Sequence, residues 1–261
     1  MRKYLLLIVY TWCISYASLA QEKILTVGIQ FKPLIPSNVI TNKVETQITD
    51  NFQFDLNNKP SYSFGMVLRK GLTKNISLES GINYVKRNYT CDIIDLLTTE
   101  LKSREFSIIG YEIPTLALVY IKLSQEVYMN AAFGASIDFF PSDVGTDIDD
   151  IYHLSIRRSW VIPSMLANLG WEYRTKKSGY YYFGASFHRP FVTIYKSGFR
   201  ITQDFIQTES IFESKGSYLT LDLRYFFHEE VQKKKAPVKD MRYYRKLRKA
   251  RAKAAAAAQK G

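Results

Sequence analysis

The sequence predicts an all-β chain: an eight-stranded antiparallel up-and-down transmembrane β-barrel with a C-terminal helical tail. Three observations carry that expectation. Eight stretches alternate apolar and polar side chains with the period of a strand. The connections between them are short and long by turns. The two side-chain parities also differ in chemistry, one nearly free of charge and the other holding both signs. An even number of strands with short turns at one end and long loops at the other is the pattern of an outer-membrane barrel.

The stretches run over 23–35, 60–72, 75–90, 105–123, 126–140, 158–174, 179–196 and 216–228. Each exceeds the ~9–11 residues that a tilted strand needs to cross a bilayer. The short turns are GLTKN, LSQE and RTKKSG; the long polar loops cover 36–59, 91–104, 141–157 and 197–215.

One parity reads Leu25, Val27, Ile29, Phe31, then Tyr62, Phe64, Met66, Leu68, then Ile82 and Tyr84. It continues through Ile109, Tyr111, Ile113, Val119, Ile121, and Ala131, Phe133, Ile137, Phe139. Val161, Leu169, Trp171, Tyr173, then Tyr181, Phe183, Phe187, and Leu219, Leu221, Leu223, Tyr225 complete it. A soluble sandwich would turn this face inward, whereas a membrane barrel turns it to lipid and encloses the polar parity. Aromatic residues gather toward the ends of the apolar parity, as interfacial girdles do.

The enclosed parity then forms a lumen polar network: Arg69, Glu79, Arg87, Glu112, Asp138, Glu172, Arg174, His188, Asp222 and Arg224. A lone charge in a low-dielectric interior costs several kcal/mol, so the carboxylates are expected opposite some of the arginines. Which pairs form depends on shear, which sequence does not supply. Gly28, Gly65, Gly81, Gly110, Gly134, Gly170 and Gly184 also fall on this parity. Small residues facing into so narrow a barrel relieve crowding, so a side-chain-filled interior is expected.

The ends of the chain have their own composition. Residues 1–20 carry Arg2 and Lys3 ahead of an apolar run, with Ser18 and Ala20 before Gln21, and read as a secretory signal peptide. Beyond it Cys91 is the single cysteine, so no intrachain disulfide is expected. The formal charge of +12 sits mostly in residues 229–261, which hold twelve Lys/Arg against three Asp/Glu. That basic tail, helical from about 238, carries Lys239, Arg242, Arg245, Lys246, Arg248, Lys249, Arg251 and Lys253. With both barrel termini at the short-turn end it is expected in the periplasm. There it would bind a periplasmic protein, cell-wall polymer or anionic lipid. Export argues against nucleic acid as a partner.

SLESGINYVKRNY, YEIPTLALVY and the closing YLTLDLRYFF resemble the small outer-membrane β-barrel proteins of Bacteroidota, a group labelled PorT-like. The resemblance covers roughly residues 21–228 and implies an outer-membrane barrel in contact with lipid. It carries over no catalytic residues and no cofactor. Phe226 and Phe227 resemble the signal read by the barrel-insertion machinery, here followed by the tail. The function expected is a non-enzymatic scaffold or accessory subunit of an envelope secretion or assembly complex. The alternatives are a small porin-like solute channel and an outer-membrane lipid hydrolase or protease.

For catalysis, Ser186 and His188 share one parity, and Glu112 or Asp138 could complete a hydrolytic set. A lumen histidine satisfied by a carboxylate is the plainer reading. His153 falls in a loop and His228 at a strand end, where ordinary solvation suffices. Asp143, Asp147, Asp149 and Asp150 cluster in the third long loop but lack the ordered calcium-loop spacing, so a solvated acidic loop is expected. No metal site is predicted.

Overall fold

The structure, a computed structural model, describes residues 25–35, 44–73, 75–148, 150–175, 178–203, 206–228 and 248, 249 and 251. The signal peptide and nearly all of the tail lie outside the described residues. Of the tail's basic side chains only Arg248, Lys249 and Arg251 are described, in helical backbone and exposed. The chain divides into two units, Met1–His228 and Glu229–Gly261, and every described strand belongs to the first.

Thirteen strands are found among the described residues: β1 Leu25–Ile35, β2 Val44–Thr49, β3 Phe52–Gly71, β4 Ile76–Asp95 and β5 Leu101–Lys122. They continue with β6 Val127–Phe139, β7 Val144–Ile148, β8 Ile151–Arg157, β9 Val161–Arg174 and β10 Tyr180–Pro190. The last are β11 Tyr195–Gln203, β12 Ile206–Ser214 and β13 Tyr218–Phe226. Eight of them close a ring in the order β1, β13, β10, β9, β6, β5, β4, β3, because β1 pairs with both β13 and β3. Closure leaves no edge in the ring, as a barrel in hydrocarbon requires.

The three short turns share one local device, a hydroxyl that takes the place of a backbone acceptor. Thr73 Oγ1 accepts from the Ile76 N–H at 3.0 Å, Ser124 Oγ from Val127 at 3.1 Å and Thr175 Oγ1 from Ser178 at 2.9 Å. Gly179 supplies the left-handed residue of the third turn, at φ 91°. Pairing of Leu25 with Lys70 and of Phe226 with Tyr180 puts both ends of the barrel chain beside these turns.

Alternation divides the barrel wall as expected. Outward residues such as Ile29, Phe64, Ile82, Val119, Phe133, Leu169 and Leu223 are about half exposed, while Gln30, Arg69, Asn83, Glu112, Asn168 and Asp222 are buried. Among the described residues no helix is long and apolar enough to cross a membrane. Any crossing made by these residues is therefore made by strands.

At the other end the structure corrects the sequence reading, for the long connections are not polar loops. β3 begins at Phe52 rather than near 60, β4 runs on to Asp95, and β5 starts at Leu101. The connections over 141–157 and 197–215 supply β7, β8, β11 and β12, a four-stranded sheet of their own. Together with β2 and the far ends of β3, β4 and β5 this sheet encloses a second core. Its members include Phe54, Leu56, Cys91, Ile93, Phe106, Ile108, Phe140, Ile151, Tyr195, Phe199 and Phe212.

The two sheets of this cap meet through side chains. Gln47 donates to the Ile211 carbonyl at 2.9 Å and accepts from Ser210 at 2.6 Å, and Arg104 donates to the Ile148 carbonyl. The loops look polar because the inward row of the cap itself contains His153, Ser155 and Ser197. These bond one another instead of water: His153 Nε2 lies 2.7 Å from Ser155 Oγ, which lies 2.6 Å from Ser197 Oγ.

A change of face links the two halves. On β4 one inward row runs without a break from Glu79, Asn83 and Arg87 to Tyr89, Cys91 and Ile93, polar in the barrel and apolar in the cap. β3 must switch parity to follow it, since Phe64 faces out but Phe54 and Leu56 face in. The switch is a bulge between Lys59 and Tyr62, where β3 spends one residue more than β4. Pro60, which lacks an N–H, and Ser61, whose Oγ accepts from the Asn88 N–H at 2.9 Å, occupy it.

Candidate functional site

The chemistry of the chain is concentrated on the inner face of the barrel, in two clusters. Nearer the short turns, register sets Arg69 of β3 directly opposite Glu79 of β4. Arg69 bonds Glu79 at 2.9 Å and also Glu172 of β9, across the lumen. Arg224 of β13 bonds both Glu79 and Asp222, the latter at 2.6 Å, and Arg174 reaches Glu172 at 2.6 Å. Lys32 stands 3.9 Å from Asp222. The guanidinium groups also lie over rings: Arg69 over Phe226 at 4.0 Å, Arg224 over Tyr182 at 4.7 Å and Arg174 over Tyr128 at 4.1 Å. Each carboxylate here meets at least one guanidinium, as buried charge demands.

Nearer the cap the pattern differs. Glu112 of β5 stands opposite Asp138 of β6 in the ladder, not opposite an arginine. His188 Nε2 lies 2.9 Å from Asp138 and 3.9 Å from Glu112. Ser164 and Ser136 donate to Asp138 at 2.6 and 2.9 Å, while Tyr218 and Asn83 donate to Glu112 at 2.7 and 3.2 Å. Tyr218 stacks on the His188 ring, centroids 4.4 Å apart and planes within 15°. Arg87 pairs with no carboxylate among the described residues; its guanidinium lies 5.1 Å from the Tyr218 ring centroid and 5.6 Å from that of Phe140.

Of the ten lumen residues expected, six form the first cluster, three the second, and Arg87 packs on aromatic rings beside the second. Sequence reasoning leaves out Tyr182, Ser136, Ser164 and Tyr218, all on the enclosed parity. It also takes the lumen as polar throughout, whereas Leu116, Leu118, Tyr120, Ala132 and Leu166 form an apolar cluster inside it. Side chains fill an eight-stranded barrel, so its interior needs packing as well as ion pairing.

Ser186 does not join His188: its hydroxyl donates to Asp222 at 2.6 Å and accepts from Asn168. His188 turns the same nitrogen toward Asp138, Glu112 and Ser136, which is not the relay of acid, imidazole and hydroxyl through opposite ring nitrogens. His153 is also corrected. It is fully buried in the cap, stacked on Phe199 with centroids 4.7 Å apart and packed on Phe106 at 4.1 Å. Burial, helped by the positive charge of Arg104, lowers its pKa to about 4.

Cys91 lies in the same core, its thiol pushed well up by burial. In the acidic stretch Asp143 accepts from the Arg157 N–H at 3.0 Å, and Asp150 takes a left-handed turn position at φ 60°. Asp149 lies outside the described residues.

No family model matches the chain, and no curated protein matches it. Among solved structures it is similar to the outer membrane protein OprG from Pseudomonas aeruginosa, at 11% identity and a TM-score of 0.46 over 81% of this chain and 100% of that one. It is also similar to the outer membrane protease OmpT from Escherichia coli, at 10% identity and a TM-score of 0.25 over 78% of this chain and 94% of that one.

Proposed function

We propose that the chain is an integral outer-membrane protein that works without catalysis, as a scaffold or accessory subunit of an envelope complex. Membrane placement is supported by the barrel's outer wall, whose apolar rows would expose far more than the few hundred Å² of contiguous apolar surface usual on a soluble monomer. Its strands, 11 residues in β1 and β10 and 14 in β9, match what a tilted crossing needs. The resemblance of its strand sequences to PorT-like barrels suits the same reading.

The observation that carries the scaffold role is the filled lumen. Arg69 and Arg224 tie β3, β4, β9 and β13 together across the axis, and the cap core closes the far end with Phe140, Ile162 and Tyr195. Such an interior stiffens the barrel and leaves the cap and the basic tail as surfaces for partners.

Purified protein in planar bilayers should show no steady conductance; regular channel openings would replace this reading with that of a porin. Truncation after His228 should preserve insertion yet remove proteins that copurify in mild detergent. Unchanged copurification would remove the tail from the proposed role.

A further inference from the structure

We propose that Glu112, Asp138 and His188 form a binding site for one divalent metal ion of the zinc class, sealed within the lumen. The donors come from three strands, β5, β6 and β10, and one donor atom from each lies within 4.8 Å of the others. All three residues are buried. The register forces the question of charge, because Glu112 and Asp138 are directly opposed and no lysine or arginine among the described residues forms an ion pair with either. The Arg87 guanidinium, packed on the Tyr218 ring, acts on Asp138 only from beyond ion-pair distance. In the other cluster Glu79, Glu172 and Asp222 each receive a guanidinium. Two carboxylates and a neutral imidazole would be neutralised by one divalent cation.

The surroundings resemble the outer sphere of a metal centre. Hydroxyls of Ser136, Ser164 and Tyr218 hold the carboxylates in place, which is how ligating carboxylates are oriented. The His188 ring is held by stacking on Tyr218, since its Nδ1 finds no partner among the described residues. The gaps of 2.9 and 3.9 Å from Nε2 to the two carboxylates bracket the ~3.3 Å between donors around a tetrahedral zinc with bonds of about 2.0–2.1 Å. One imidazole with two carboxylates favours zinc or cobalt over magnesium or calcium, which take oxygen donors.

A sealed site is best loaded during folding. Full-length protein, unfolded in urea with chelator and refolded into detergent with Co²⁺ or Zn²⁺, is passed through gel filtration and its metal content measured. About one ion per chain is expected, with Co²⁺ absorption in the visible and one imidazole among nitrogen and oxygen donors by X-ray absorption. Glu112→Gln and His188→Gln should each cut retention at least about tenfold. Folding is checked by β circular dichroism and heat-modifiable migration. Folded wild type that retains no metal, or retains it without an imidazole ligand, overturns the proposal; so does undiminished retention in the folded variants. If neither variant folds, the wild-type X-ray absorption result decides alone.

Discussion

Glu112 and Asp138 face each other across the β5–β6 ladder, two buried carboxylates in register with His188 Nε2 at 3.9 and 2.9 Å. Like charges directly opposite destabilise a strand pair. Inside the barrel the arrangement holds through hydroxyl donors and the imidazole, whereas the cluster beside it relies on guanidinium groups. The lumen thus has two solutions to buried charge, stacked one above the other along the barrel axis.

Arg69 is the hub of the guanidinium cluster, bonding Glu79 and Glu172 at once. Removing one partner of a buried pair leaves an uncompensated charge, so Arg69→Met should cost about 3–5 kcal/mol. Urea unfolding in detergent micelles measures it. A midpoint within error of wild type would mean that the cross-lumen pairs contribute nothing.

Pro60 and Ser61 turn β3 over between barrel and cap. Deleting Ser61 removes the extra residue and sends Phe54 and Leu56 to the outer face, because a one-residue slip exchanges the two faces of a strand. The barrel should still insert, while limited proteolysis should cut the cap within β2 to β5. A protease-resistant cap in the deletion variant would show that the bulge does not set the face.

Gly134 sits opposite Leu116, and a Cβ there would run into the Thr115 carbonyl oxygen, with the Leu116 Cα 3.0 Å away. The obstacle is backbone in a closed ladder and cannot swing aside. Gly134→Ala should therefore destabilise by roughly 1–3 kcal/mol. Its refolding yield and urea midpoint should both fall, and wild-type values for both would refute the close-approach account.

His153 makes the cap acid-sensitive. Its pKa in the folded cap is about 4, below the ordinary 6.5, so the unfolded state takes up a proton first as pH falls. Its neutral form costs nothing above pH 6.5; stability is lost between about 6.5 and 4 and levels off below. The loss is on the order of 2–3 kcal/mol. Hydrogen exchange of β8 and β11 amides at about pH 7 and about pH 3.5, either side of that window, should show loosening at the lower pH that His153→Leu abolishes. Equal pH dependence in the variant would assign the effect to other groups.

Much of the barrel is legible in the residues. Period-two alternation gives all eight ring strands, and the position of Thr73, Ser124 and Thr175 in three short segments gives the tight turns. Membership of the lumen follows from parity for Arg69, Glu79, Glu172, Asp222 and Arg224. Their pairing does not, because Arg69 meets Glu172 from 103 positions away and only strand register and stagger bring them together. The cap is hidden for a different reason: its inward row contains His153, Ser155 and Ser197, which read as solvated until their mutual hydrogen bonds are seen.

Which side chains share a face is written in the chain itself, because alternation is local and needs only the geometry of an extended backbone. What each face meets at each height depends on how the strands assemble. Closure of the ring placed Glu172 against Arg69 and Arg224 against Glu79, and the bulge at Pro60 turned the outward parity of β3 inward. Both are long-range consequences of register, which no window of neighbouring residues contains.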